Sequence, residues 1–457
     1  MFFILSILLK AWTNVLRRFS PIQWLVIGYA TIVWVIASLL TLPSASSQHI
    51  SQPFIDALFT ATSGISTTGL TVVDIGNYYS LFGQILILID FQIGGLSHMT
   101  FFVILILFVG RRTSVLHRLV ARESIVGAHG QDFYRFFKAV LLFTLLFEFV
   151  GASALAWYWS QFYPLKHAIW LGTFHSISAF CTAGFSLFST SFMAYRESVP
   201  MNLIITILSI CGGIGFFVLL DLYTKLKSYL RRSFHYRLAV HTKLAIWVSA
   251  AVYLVGTATL FFLEDPSHFF GNADQFKASL FQAVSASTTD GFNTIDISAM
   301  HVGNLVLLIA LMFMGASPGG TGGGLKTTTM AMIVIATFAK LAGRSDVNVF
   351  HRKIPEEIIF KSLMILFCFS TVIGMSTLLL TITEDASFLQ LFFETISAWS
   401  NTGLSLGITS QLSTVGKLCL IIGMFIGRVG PLTFGFALLE KRKKGKFQYA
   451  EAEVFVG

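Results

Sequence analysis

Four glycines, Gly69, Gly184, Gly291 and Gly403, each close a short polar run in an otherwise apolar neighbourhood. The runs read Thr67-Thr68-Gly69-Leu70, Thr182-Ala183-Gly184-Phe185, Thr289-Asp290-Gly291-Phe292 and Asn401-Thr402-Gly403-Leu404. Their chemistry is carried by the main chain. A dehydrated cation needs oxygens at close range in place of its water shell, and backbone carbonyls supply them when a loop is extended and turns them inward. Glycine reaches backbone angles that other residues resist and leaves no side chain to block a lumen. A lone T-x-G in an apolar segment is an ordinary turn or a close helix contact. Here the pattern is repeated in register, with a phenylalanine four residues before a serine and that serine six before the glycine: Phe59 and Ser63, Phe174 and Ser178, Phe281 and Ser285, Phe393 and Ser397. The glycines recur about every 110 residues, which marks a fourfold internal repeat.

The elements that position these loops follow from composition. Of 457 residues, 55% are hydrophobic, 12% are charged and 46 are Phe; the mean hydropathy is +0.75. Water-soluble domains carry about 25% charge, so this is an integral membrane protein. Apolar stretches long enough to cross a bilayer, about 20 residues each, lie near 22–42, 81–109, 136–159, 201–223, 244–263, 302–338, 358–381 and 414–439. Between the two spans of each repeat lies a further apolar stretch, at 54–63, 169–180, 276–286 and 388–397. These are too short to cross and fit re-entrant half-helices. A half-helix aims the partially negative end of its dipole at the loop that follows, which favours a cation there. The expected fold is an all-α integral membrane protein of four tandem span, pore helix, span repeats around a pseudo-fourfold central pore. It has eight transmembrane helices and four re-entrant loops. The divisions are 1–20, an interfacial segment around Trp12 to Arg18, then repeats at 21–125, 126–235, 236–345 and 346–457.

Charge orients the chain. With a net charge of +9, one side receives Lys10, Arg17, Arg18, the basic residues of 111–138, 225–243 and 340–361, and the tail lysines and arginine of 441–446. Lys and Arg favour cytoplasmic loops, so this side and both termini are expected in the cytoplasm of a multi-pass cell-membrane protein. The other side carries Asp56, Asp74, Glu197, Glu264, Asp265, Asp274, Asp296, Glu384, Asp385 and Glu394 against Lys166, Arg196, Lys277 and Lys417. A negative outer vestibule would concentrate cations at the entrance; equally, each acid follows from topology alone. The basic loops suit anionic lipid or an acidic partner surface, and nothing points to nucleic acid. Residues 1–9 are apolar but lack a preceding basic region and a small-residue cleavage site, so no signal peptide is expected. Cys181, Cys211, Cys368 and Cys419 sit in apolar segments without metal-ligand spacing and read as packing residues.

A second constellation interrupts the last span of the third repeat: Gly315-Ala316-Ser317-Pro318-Gly319-Gly320-Thr321-Gly322-Gly323-Gly324, followed by Leu325-Lys326-Thr327. Proline and this density of glycine cannot sustain a helix. Unwound backbone at membrane depth is tolerated only where it packs in protein or faces water, so this segment belongs against the pore. It is not a phosphate-binding loop, because Leu325 separates Gly324 from Lys326. Gly94-Gly95, the 211–215 segment and Gly427 to Pro431 mark similar weak points in the other repeats, with the third the most pronounced. Arg428 lies 25 residues past Gly403, near mid-membrane below the loops. Such a residue costs several kcal/mol unless paired or wet; snorkelling to the interface is its other reading. Lys326 divides evenly between the same two roles. Asp90 has candidate partners in His98, Lys326, Arg428 or a bound cation. Asp290 either attracts and helps dehydrate an ion or points behind its loop to accept hydrogen bonds.

These loops and the glycine-rich break together resemble the Trk/Ktr/HKT superfamily of potassium transporters, over nearly the whole chain from about Pro21 to Gly457. The short length is most similar to the Ktr branch of membrane subunits. The resemblance implies a homodimer with one pore per subunit, and K+ bound at the carbonyls of the four loops, with potassium selectivity because all four glycines are present. In that family some members with a serine in the first loop conduct sodium instead; this chain has Gly69. It also implies that residues 315–324 form an intramembrane gate loop, that Arg428 contacts it as an electrostatic barrier, that Na+ is a possible activator, and that a ring of cytoplasmic nucleotide-binding subunits regulates uptake. The chain itself carries no nucleotide-binding motif and no paired catalytic constellation, so an intramembrane enzyme is disfavoured. A sodium-coupled solute symporter with broken helices is the remaining alternative, but it would show inverted repeats, and these four read in one sense.

Overall fold

The computed structural model describes residues 21–109, 130–232, 236–265 and 271–430. The expected interfacial segment 1–20, the basic stretch 111–122, the side chain of His98 and the tail 431–457 lie outside the described residues.

The fold is helical, apart from a small hairpin pairing β1 (Asn348–Val349) with β2 (Arg352–Lys353). A unit of long helix, short helix, loop and second helix recurs four times. The first is α1 (Pro21–Leu40), α2 (Phe54–Ile65) and α3 (Leu81–Val109); the second is α4 (Gly130–Trp159), α5 (Leu165–Phe180) and the pair α6 (Val199–Gly213) and α7 (Phe216–Leu230). The third is α8 (Val240–Leu263), α9 (Asn272–Thr288) and the pair α10 (Val302–Met314) and α11 (Thr327–Leu341); the fourth is α12 (Glu356–Thr383), α13 (Phe388–Ser400) and α14 (Thr414–Val429). By length and apolarity alone, Phe136–Trp159, Val240–Leu263 and Glu356–Thr383 each suffice to cross a bilayer, and α6 with α7 passes as one bent pair.

The short helices begin where local chemistry permits. Pro53 and Pro164 precede α2 and α5, and Ser387 with Gln390 forms a capping box at the start of α13, satisfying amide donors that have no partner inside the helix. Phe59, Phe174, Phe281 and Phe393 of the repeated pattern are all buried. They anchor the short helices in four separate apolar clusters: Phe59 beside α14, Phe174 against Phe91 and Phe185, Phe281 among Phe192 and Phe292, Phe393 with Trp399 and Leu404. Each short helix also packs on the second span of the preceding unit, α5 on α3, α9 on α6, α13 on α10 and α2 on α14. That cyclic order closes the four units around one axis.

The expected weak point at 211–215 is present, and the one at Gly94-Gly95 needs correction. The stretch 201–223 is not one straight span: it breaks at Ile214-Gly215, where Gly215 has φ of 101°, and the pieces diverge by 100°. The second unit is thus sharply bent at a two-residue break, whereas the third is unwound from Gly315 to Lys326. The physical reason is mutual satisfaction. The carbonyls of Gly213 and Gly212, at the end of α6, accept from Ser317 N (3.1 Å) and Thr321 N (3.0 Å), and Phe216 N donates to Gly319 O (3.0 Å). Each break supplies the backbone partners that the other lost. Conversely, Gly94-Gly95 is no weak point, because α3 runs through it. A Cβ on Gly94 would strike Ile65 O, as one on Gly212 would strike Phe180 O and one on Gly427 would strike Trp399 O. At these three matched positions glycine permits close approach to the end of a short helix.

Candidate functional site

The four polar runs share one backbone conformation. Thr67, Thr182, Thr289 and Asn401 have φ of 51°, 49°, 57° and 55°, a left-handed region that β-branched residues rarely occupy. Two residues on, Gly69, Gly184, Gly291 and Gly403 have φ of 89°, 67°, 85° and 90°. In each run the amide between them, of Thr68, Ala183, Asp290 or Thr402, donates to the carbonyl of Ser63, Ser178, Ser285 or Ser397 at 2.8 to 2.9 Å. The repeated serine thus ties its helix to its loop through the main chain in every copy. Its side chain does so in two ways. Ser63 and Ser397 accept from the N–H of Gly69 (3.1 Å) and Gly403 (3.0 Å). Ser178 and Ser285 donate to the carbonyls of Phe185 (2.9 Å) and Phe292 (2.6 Å).

The four loops meet. A side chain on Gly69 would strike Ala183 O and Gly184 Cα; on Gly184, Asp290 O and Gly291 Cα; on Gly291, Thr402 O and Gly403 Cα; on Gly403, Thr68 O and Gly69 Cα. The series returns to its start, so the glycines and the carbonyls beside them form a closed ring in the order of the sequence. A Cβ has no room in it, and φ alone strains any other residue there. Above the ring opens a cavity of about 420 Å³ whose lining includes all four glycines.

Below the ring lies the 315–324 segment. Thr321 Oγ1 donates to Phe180 O (3.0 Å) and meets Thr182 Oγ1 (3.2 Å). Thr67 Oγ1 donates to Thr321 O (3.4 Å), and Thr289 Oγ1 accepts from Gly323 N (2.7 Å). Gly322 fits under Thr288 O, and Gly323 under Ser400 O beside Asn401. The segment therefore touches the base of every loop. Gly320 is held against the Gly212 and Gly213 carbonyls, and Gly315, Gly319 and Gly324 supply φ of 61°, 76° and 72°. Lys326 Nζ folds back to donate to the carbonyls of Gly322 (2.6 Å) and Gly323 (3.3 Å). Arg428 is buried, 5% exposed, and its guanidinium donates to Thr321 O and Gly94 O. Neither cation snorkels: both point inward and bind carbonyls of the break.

Of the acids on the expected outer side, only Asp74 and Asp296 line the cavity, and both also cap local turns, on Asn77 N (3.1 Å) and Ser298 N (3.0 Å). Three others are held by local partners: Asp56 pairs with Lys417 (2.7 Å), Asp274 with Arg196 (3.1 Å), and Glu384 accepts from Ser413 N (2.9 Å). Asp290 is wholly buried and its carboxylate accepts from Ser209 Oγ in α6, so it points behind its loop. Ser209 carried no sequence signal, since it belongs to no motif. Asp90 is also wholly buried, against α2 at Gly64, and bonds neither Lys326 nor Arg428. No cluster of three or more His, Cys, Asp or Glu side chains that could hold a metal ion exists among the described residues. The four cysteines are free.

The family described as "TrkH: Cation transport protein" matches residues 4–444. "Ktr system potassium uptake protein B" of Bacillus subtilis is 37% identical over 445 residues, 96% of this chain and 97% of the relative. "Potassium/sodium uptake protein NtpJ" of Enterococcus hirae is 31% identical over 97% of this chain and 99% of its own. The crystal structure of the potassium transporter TrkH from Vibrio parahaemolyticus superposes with a TM-score of 0.65 at 22% identity, covering 90% of this chain and 85% of that one, and shows the same fold. With its fourfold ring, its broken spans and these near full-length relatives, the chain belongs to the TrkH/Ktr family of cation transport proteins.

Proposed function

We propose that the ring is a potassium selectivity filter and that residues 315–324, with Lys326 and Arg428, form an intramembrane gate beneath it, in a multi-pass plasma-membrane subunit that takes up K+ down the membrane potential. One observation carries the reading: the closed contacts of Gly69, Gly184, Gly291 and Gly403 with the next loop's carbonyl. In the filter, Thr67, Thr68, Thr182, Ala183, Thr289, Asp290, Asn401 and Thr402 contribute main-chain oxygens that replace hydration. The gate places two cations and a glycine-rich segment across the path below, an electrostatic and steric barrier.

The names of the relatives extend the reading. Several are Ktr-system potassium uptake proteins, and a system implies a regulatory partner. The exposed bases Lys225, Lys227, Arg231, Arg232, Arg344 and Arg352 suit docking of a cytoplasmic nucleotide-binding ring, with both termini on that side and the subunit paired as a homodimer. A potassium/sodium uptake relative makes Na+ the candidate activator.

The test is flux in proteoliposomes with K+, Rb+ and Na+ compared, with and without a candidate partner, for the parent and Gly69→Ser. The parent should pass K+ and Rb+ over Na+, and Gly69→Ser should relax that preference. A folded variant with the parent's selectivity would refute the filter assignment.

A further inference from the structure

The repeated register sets four side chains in equivalent places on the short helices, seven residues before the left-handed residue of each loop: Thr60, His175, Gln282 and Glu394. All four are fully buried, none lies in the ring, and they differ completely in chemistry. Two of them reach across to the outer half of their own loop, and they do so identically. Leu187 N, three residues past Gly184, donates to His175 Nε2 (3.2 Å), which also meets Ser186 Oγ (3.2 Å). Leu406 N, three residues past Gly403, donates to Glu394 Oε1 (3.0 Å), which also accepts from Ser405 Oγ (2.5 Å), while Oε2 accepts from Thr409 Oγ1 (2.9 Å). Because His175 Nε2 accepts, the ring proton sits on Nδ1, which donates to Leu171 O (2.8 Å), and the imidazole is fixed as one neutral tautomer. Aromatic rings hold it there, Phe188 stacked at 5.0 Å and Trp159 at 5.1 Å.

The other two positions make no such strut. Thr60 bonds back to Asp56 O (3.0 Å) in its own helix and receives Tyr79 OH (3.4 Å). The Gln282 amide has no hydrogen-bond partner among the described residues. Since the loops follow one another in cyclic order, the second and fourth face each other across the axis. The braced residues Ser186, Ser405 and Leu406 line the cavity directly above the glycines.

We propose that His175 and Glu394 are specificity-determining positioning residues. They brace the outer rim of the ring along one diagonal by accepting the N–H three residues beyond the filter glycine, and so fix the span across which the second and fourth loops present their carbonyls. The other diagonal lacks the brace, and the ring is twofold rather than fourfold in its support. This inference rests on the filter reading.

The experiment measures the K+ to Na+ flux ratio in proteoliposomes, with thermal unfolding of each variant alongside. Glu394→Leu and His175→Leu remove the acceptor and should lower the ratio roughly tenfold, as expected when a buried amide N–H is left without its acceptor. Glu394→Gln and His175→Gln keep an acceptor at that place and should restore the parent's ratio, whereas Gln282→Leu should leave it unchanged. Folded Leu variants with the parent's ratio would overturn the proposal, as would an equal fall in Gln282→Leu. If the Leu variants do not fold, Ser405→Ala decides: it removes one bond to Glu394, and an unaltered ratio then counts against the brace. A parent that does not discriminate K+ from Na+ defeats the filter reading itself, a result separate from these.

Discussion

The ring of loops and the 315–324 segment beneath it are both glycine-rich, unwound and buried in the same axis, yet they are held by opposite strategies. In the ring each loop is one of four copies, and its constraint is steric: backbone meets backbone where a Cβ would stand. The lower segment exists once, and its constraint is chemical. Arg428, Lys326, Thr182 and Thr289 hold its polar groups from several sides, and α6 supplies the carbonyls its amides need. The glycine-to-carbonyl contacts repeat at all four positions and leave no room for a side chain at any of them. The single segment is pinned instead by side-chain hydrogen bonds, each of which one substitution can remove. For the filter and gate proposed above, the first tether suits rigidity and the second suits release.

The comparison is best broken at the ring. Gly403→Ala places a methyl against Thr68 O at φ of 90°; strain of about 1–3 kcal/mol should reduce the K+ to Na+ flux ratio by roughly a decade or abolish uptake. A folded variant with unaltered selectivity would show that the ring tolerates what its geometry forbids. Next, Arg428→Ala removes a cation and its bonds to Thr321 O and Gly94 O. K+ flux should rise by about tenfold, given about 1.5–3 kcal/mol per charge-assisted bond, with the K+ to Na+ ratio kept; a folded variant that transports no faster removes Arg428 from the barrier. Smaller in effect, Thr321→Val keeps the carbonyl but loses the hydroxyl's bonds to Phe180 O and Thr182. A few-fold rise in flux follows from about 1 kcal/mol, and initial-rate measurements at one K+ concentration read it. Least affected should be Lys417→Met. Its pair with Asp56 joins the first and fourth units at the outer side, and its loss should cost about 1 kcal/mol of stability or less, read in a thermal melt, with selectivity intact.

Much of this was legible in the chain. Phe59, Ser63 and Gly69 with their three counterparts located every loop, because a cyclic assembly of equivalent units needs the same anchor, tie and open position in each copy. The proline and glycines of 315–324 announced a break for the same local reason. Arg428 advertised itself by its cost in an apolar span. The sequence marks a lesser break at Gly215, since Cys211-Gly212-Gly213-Ile214-Gly215 is shorter and has no proline, and the break is indeed shorter but bends the chain by 100°. The bend is sustained because the third unit offers Ser317, Gly319 and Thr321 to its freed backbone, a partner more than a hundred residues away in sequence.

Side-chain destinations were beyond reach for a similar reason. Asp290 could face the ion or turn behind its loop, and only the placement of Ser209 on a neighbouring helix decides. Of the acid-rich face only Asp74 and Asp296 line the cavity, and Lys417, Arg196 and Ser413 hold Asp56, Asp274 and Glu384 elsewhere. His175 and Glu394 share a register that the sequence contains, but a histidine and a glutamate look unrelated until both are seen accepting the same amide. The sequence by itself determined the apolar class, the fourfold repetition and the backbone freedom of each loop, since these depend on residue type and spacing along one chain. Tertiary structure alone decided which freed backbone groups satisfy one another and where each buried charge finds its partner, because a hydrogen bond depends on distances between segments that spacing along the chain does not encode.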